Sequence, residues 1–180
     1  MNIKRRRALL FAVAGSAVLT AGCMTKPLRP ANADGTYCYR IGKSYRPKLT
    51  CTSAPIPSET VESDAKRFEP APGKLTVFLV RKRWGDTANV VRISSSGTSS
   101  VDTVPESFAR WRLPAGSHRL TVTWPEGSAS LDVSGVAGEV VFVEVIGSAW
   151  VWGSSYRLER GDAAESRQRA VSLRLVADIG

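Results

Sequence analysis

From residue 74 onward, apolar side chains come in runs about one strand long, and glycine, proline or serine interrupts each run. KLTVFLVRK (74–82) is apolar at both alternating sets of positions, as in a strand covered on two sides. ANVVRIS (88–94) follows, and then SSSGTSS, a turn-rich break. SFARWRL (107–113) sets Phe108 against Ala109 and Trp111 for the inner face, and PAG (114–116) turns the chain. HRLTVTW (118–124) alternates through Leu120, Val122 and Trp124, and ASLDVSG (129–135) through Leu131 and Val133. EVVFVEVIGSAWVWG (139–153) reads as a long buried strand with an aromatic edge, and SYRLER (155–160) as one more short strand. Short strands with turn signals between them predict a mainly β fold, a single β-sandwich.

The last twenty residues break the pattern. Asp162 precedes Glu165 by three positions, a capping-box spacing, and helix formers follow. A short C-terminal helix over 163–176 is expected, with a closing strand at 171–176 as the alternative.

ARWRLPAGSHRLTVTW, with VVFVEVIG downstream, resembles a family of bacterial envelope lipoproteins of unknown function. It is similar to the strand, turn and strand core of short PEGA-type β-sandwich repeats. The resemblance covers 74–147. It implies a transthyretin-like or immunoglobulin-like sandwich in a lipoprotein context, and it carries no catalytic residue across.

The chain begins with a basic head, Lys4 to Arg7, and continues uncharged from Ala8 to Gly22. A basic n-region, a short apolar run and a small-residue ending describe a secretory signal peptide over 1–22. The run is short for a membrane span, which needs about 20 residues. Leu19-Thr20-Ala21-Gly22-Cys23 resembles a bacterial lipobox, with Thr20 where an aliphatic residue is usual. The resemblance implies cleavage before Cys23, a diacylglycerol on its thiol and an N-acyl chain, commonly palmitate. Two or more acyl chains hold a protein firmly where one does not. Met24, rather than Asp, follows the cysteine, which by the same resemblance implies the outer membrane, facing the periplasm.

Secretion changes the reading of Cys38 and Cys51. An oxidising compartment favours pairing them across a small hairpin-like loop, worth about 3 kcal/mol by loop entropy. Pro-rich segments flank that loop, so 23–73 reads as a lipidated tether ending in an extended linker, with a helical turn near 61–68. The folded domain is expected over 74–180.

The formal charge is +9, yet from Cys51 to the end fifteen basic and fifteen acidic residues balance. The excess sits in the leader and in the segment holding Lys26, Arg29, Arg40, Lys43, Arg46 and Lys48, where Asp34 is the one acid. A nucleic-acid domain carries its charge on the folded body, so no nucleic-acid partner is expected. A tether lying beside anionic headgroups and a solvated linker remain equal readings.

No catalytic constellation emerges, and no enzyme activity is expected. The single histidine, His118, has no G-x-S-x-G nucleophile nearby; it reads as a turn residue bonding its own backbone. Ser117 beside it points to the opposite face. Glu139 and Glu144 differ by five and cannot share a face of a straight strand. No metal spacing is present, and no cofactor is expected beyond the lipid on Cys23. Trp150 and Trp152 share a strand face. With Arg81, Lys82 and Arg83 they form a candidate surface for a sugar or a partner; packing within the core is the competing reading. The partners expected are the membrane, through the anchor, and an envelope protein or glycan.

Overall fold

Covering a wholly apolar strand requires neighbours above and below as well as beside it, and the architecture supplies them. The computed structural model describes residues 30–43, 45–81, 85–86, 89–96, 99–150 and 153–180. In chain order these form β1 (Cys38–Lys43), β2 (Arg46–Cys51), α1 (Glu59–Ala65), β3 (Lys74–Arg81), β4 (Val91–Ser95), β5 (Ser100–Thr103) and β6 (Ser107–Pro114). Then follow β7 (Gly116–Trp124), β8 (Gly127–Gly135), β9 (Val140–Trp150), β10 (Gly153–Arg160), α2 (Ala163–Val171) and β11 (Arg174–Ile179). A five-stranded sheet runs β10-β9-β3-β6-β11, a four-stranded sheet runs β5-β4-β7-β8, and β1 pairs with β2 alone. The β3–β9 and β6–β11 pairings are parallel, so the larger sheet is mixed.

β3 lies at the centre of the larger sheet, and the two-residue period sorts its side chains. Leu75, Val77 and Leu79 enter the core between the sheets with Trp111 and Val143, against Ile93, Leu120 and Val122 of the smaller sheet. Phe78 and Val80 face the other way, into a second cluster with Phe108, Phe142 and Leu175. That cluster is roofed by Ala65 and Phe68 from the α1 region and by Ala170 and Leu173 from the α2 region. Phe78 stacks on Phe142 at 5.3 Å, and Phe68 meets Phe78 edge-on at 5.1 Å. The result is a β-sandwich with a layer of two short helices outside its larger sheet.

Three expectations change in detail. The C-terminal segment holds both the helix and the strand: α2 stops at Val171, and β11 then runs parallel to β6. Asp162 caps α2 by accepting from the amides of Ala164 and Glu165 at 2.9 and 3.0 Å. Leu173 and Leu175 pack into the helix-covered cluster, and past an irregularity at 175–177 Val176, Ala177 and Ile179 pack on the core between the sheets, which suits the open side of β6. Second, the turn-rich break is followed by β5, whose single inward apolar residue, Val101, pairs with Ile93. Third, residues 54–73 are not a free spacer. Ala65 and Phe68 are buried, and Phe68 sits at φ 54°, a backbone conformation rarely adopted by a bulky residue.

The turn at PAG is the corner where the chain passes from β6 in one sheet to β7 in the other. There the Nε2–H of His118 donates to the Pro114 carbonyl at 2.7 Å, as its position beside a turn led one to expect.

Packing of the 54–73 segment is testable. Phe68→Ala should cost about 3–5 kcal/mol in urea unfolding, the usual loss for a buried phenylalanine. A loss below about 1 kcal/mol would mean that the segment does not roof the sheet.

Candidate functional site

The Cys38–Cys51 bond forms as expected and joins directly opposed residues of β1 and β2. The hairpin is rooted at this end. Tyr37 and Thr52 bond to each other through the Tyr37 amide to Thr52 Oγ1 at 3.1 Å and the Thr52 amide to the Tyr37 carbonyl at 2.9 Å. The Tyr37 ring is buried in the sandwich core, and its hydroxyl donates to the Glu106 carbonyl at 3.3 Å. Tyr39 and Thr50, a cross-strand pair, are buried as well. Beyond them the strands run into solvent. Arg40, Lys43, Arg46 and Lys48 are exposed, as are Tyr45 and Leu49. The Lys43 ammonium lies 5.7 Å from the centre of the Tyr45 ring.

Of the five residues expected to form a tryptophan and basic surface, Arg81 alone has a described side chain. Lys82, Arg83 and Trp152 lie outside the described residues, and Trp150 is described through its backbone, opposite Gly153. Arg81 is inside: its residue exposure is 1%. Its guanidinium grips Asp86 with Nε to Oδ2 at 2.5 Å and Nη2 to Oδ1 at 2.7 Å, and Nη1 donates to the Thr103 carbonyl at 2.5 Å. Tyr156 completes the group, donating to Asp86 Oδ1 at 3.0 Å. Burial pushes the Asp86 carboxyl above its ordinary value, while Arg81 and the Tyr156 hydroxyl act against that rise. Gly147 makes the approach possible, because a Cβ there would stand 2.7 Å from both Asp86 and the Tyr156 ring. This network ties three segments together at one end of the sandwich. Nothing in the sequence marked Asp86 as its partner, since the period-2 pattern stops at Arg81.

Trp111 and Trp124 are committed to packing, and Trp84 lies outside the described residues. Trp111 is in the core, and Trp124 tilts on Tyr156 at 5.7 Å while its indole donates to the Ser154 carbonyl at 2.9 Å. Glu144 is buried against α2, where Arg169 bonds it; Glu139 lies elsewhere, accepting from the Val136 amide at 2.9 Å. Among the described residues no group of His, Cys, Asp and Glu is placed to hold a metal ion. No described helix is long and apolar enough to cross a membrane. Cys23 lies outside the described residues.

A second charge cluster crosses from β6 to β11 and α1. Arg110 donates to both carboxylate oxygens of Asp178, each at 2.9 Å, and to Asp64 at 2.7 Å; Arg112 adds a bond to Asp178 at 2.7 Å. Burial pushes the Asp178 carboxyl up, but Arg110 and Arg112 together hold it below the ordinary range. Hydrogen bonding from Arg110 lowers Asp64 similarly. Lowered carboxyls contribute stability that is complete above their unfolded pKa, near 4, and is lost as pH falls through the folded value.

Two outcomes follow. The melting temperature should fall between about pH 4 and pH 2, and Asp178→Asn should flatten that fall, as read by circular dichroism. Asp86→Ala should cost about 3–5 kcal/mol by stranding the buried Arg81, whereas Arg81→Met with Asp86→Ala should cost less than the two single changes combined. Additive losses in denaturant unfolding would contradict the coupling. Compared with known proteins, the chain matches no family model and no curated sequence.

Proposed function

We propose that this chain is a lipid-anchored protein of the bacterial envelope, held at the periplasmic face of the outer membrane, where it acts without catalysis as an accessory or binding protein. The observation that carries the reading is the stretch ending in Leu19-Thr20-Ala21-Gly22-Cys23, behind a basic head and an uncharged run. The Cys38–Cys51 bond supports it, because such bonds persist in oxidising compartments and are rare in reducing ones. The likeness of 74–147 to envelope lipoproteins with PEGA-type sandwiches points the same way. Charge supports it too: the acids and bases of 51–180 balance in number, whereas a nucleic-acid domain carries excess positive charge on its folded body.

A glycan-binding module for peptidoglycan or lipopolysaccharide is the second reading. It drew on Trp150 and Trp152 beside Arg81, Lys82 and Arg83. Burial of Arg81 against Asp86 takes one cation away from that surface and weakens it.

Mild crosslinking in cells, followed by recovery of the protein and mass spectrometry of what comes with it, separates the two. The proposal expects one envelope protein in stoichiometric amount. Glycan fragments recovered without a protein would replace it with the second reading.

A further inference from the structure

The cross-strand cations of the four-stranded sheet face carboxylates, whereas those at the hairpin tip face each other. On the four-stranded sheet Arg92 opposes Asp102 and Arg119 opposes Asp132, each bonded through two contacts of 2.7–3.0 Å. In the hairpin Lys43 opposes Arg46. Like charges directly opposite destabilise a strand pair. The same hairpin carries Arg40 and Lys48, and no acidic residue occurs between Asp34 and Glu59. It is closed by a disulfide at its root, so the repulsion at its tip is held in place by a covalent bond.

Two apolar side chains stand among these cations. Tyr45 is 72% exposed and Leu49 is 56% exposed. Leu49 pairs with Arg40 across the strands. A charged tip with an exposed aromatic and an exposed aliphatic residue matches a boundary that is anionic outside and apolar just beneath. Tyrosine settles at such boundaries, and the stems of lysine and arginine lie along apolar surface with their heads in the headgroup layer.

We propose that the β1–β2 hairpin is a second membrane contact, which binds anionic lipid headgroups through Arg40, Lys43, Arg46 and Lys48 and seats Tyr45 and Leu49 at the edge of the acyl region. The inference rests on the proposed anchor for its geometry. Cys38 is fifteen residue steps on from Cys23, a reach of at most about 50 Å, so an acylated Cys23 keeps the hairpin close to the bilayer. With two points of attachment the sandwich takes a set orientation above the membrane instead of swinging on a tether.

The test uses the full chain carrying Cys23→Ala, oxidised, with no acyl group possible. It is floated with vesicles of phosphatidylcholine alone, or with phosphatidylglycerol added at about one third of the lipid. A second protein adds Lys43→Glu and Arg46→Glu on the same background, so any binding by the leader is common to both. The hairpin protein should prefer the anionic vesicles by at least about tenfold, and the double reversal should weaken that binding by at least about 25-fold, near fivefold for each cation removed before the two added carboxylates are counted. Raising salt to about 0.5 M should remove the preference. Equal binding by the reversed protein, or no preference between vesicles, overturns the proposal. Tighter, reversal-sensitive binding to a single-stranded DNA oligonucleotide than to anionic vesicles overturns it in favour of a nucleic-acid contact. Tyr45→Ser with Leu49→Ser should reduce binding to the anionic vesicles severalfold; no change would remove the apolar half of the contact. Unfolding midpoints equal to the parent's confirm that these exposed changes leave the fold intact. A failed anchor appears separately, as an unlipidated Cys23 in the natural protein, and leaves the vesicle comparison valid.

Discussion

β3 is apolar on both faces, and a strand of that kind cannot sit at the surface of anything. One face is satisfied by the second sheet. The other needs cover that β-strands of this chain do not supply, and the two short helices provide it. That requirement explains why residues 54–73 fold down onto the sheet despite their prolines, and why the chain makes a helix before its last strand. Burying a phenylalanine or leucine contributes about 1.5–3 kcal/mol, so the cluster around Phe78 outweighs the cost of ordering a short helix many residues from the nearest strand. The polar groups follow from this arrangement. Glu62 of α1 is buried because it accepts the Leu175 amide on the free edge of β11 at 3.2 Å, with Lys66 at 2.6 Å as its counter-ion. An open strand edge is thereby covered by a side chain.

Charge divides the molecule as clearly as packing does. Within the body, acids and bases are matched locally: Arg81 with Asp86, Arg110 with Asp178 and Asp64, Arg169 with Glu144. The buried pairs hold segments together, and removing one partner costs far more than the pair contributes. The hairpin itself carries no acidic residue between Asp34 and Glu59. Its root is part of the core through Tyr37, and its tip is cationic and solvent-facing. A sandwich whose charges balance in number, with a basic hairpin projecting from it, is compatible with the proposed anchor.

Much of the fold was legible in the sequence, and the reasons differ by element. β3, β7, β8, β9 and β10 were readable because each carries a period-2 pattern or a continuous apolar run. The disulfide was readable because the leader expected over 1–22 implies an oxidising compartment, in which the two remaining cysteines would pair. β5 was not, since only Val101 among its four residues is apolar and inward. The split of the C-terminal segment into α2 and β11 was visible as two alternatives, and the choice was made by the open side of β6, which no local pattern reveals. Arg81 misled for a related reason. A basic residue at a strand end reads as solvent-facing, and its carboxylate partner, five residues on, acts through a turn anchored over Gly147. The exposure of Tyr45, in the hairpin turn, and of Leu49, in β2, is not legible locally, because only the tertiary packing leaves them outside.

The central claim is that Cys23 becomes the acylated first residue of the mature protein. Intact mass spectrometry of the protein extracted from membranes tests it directly. The expected result is a chain that starts at Cys23, carries the added mass of a diacylglycerol and an N-acyl group, and yields an alkali-labile loss of two acyl chains. A mature chain starting elsewhere, or starting at Cys23 with an unmodified thiol, would contradict the account.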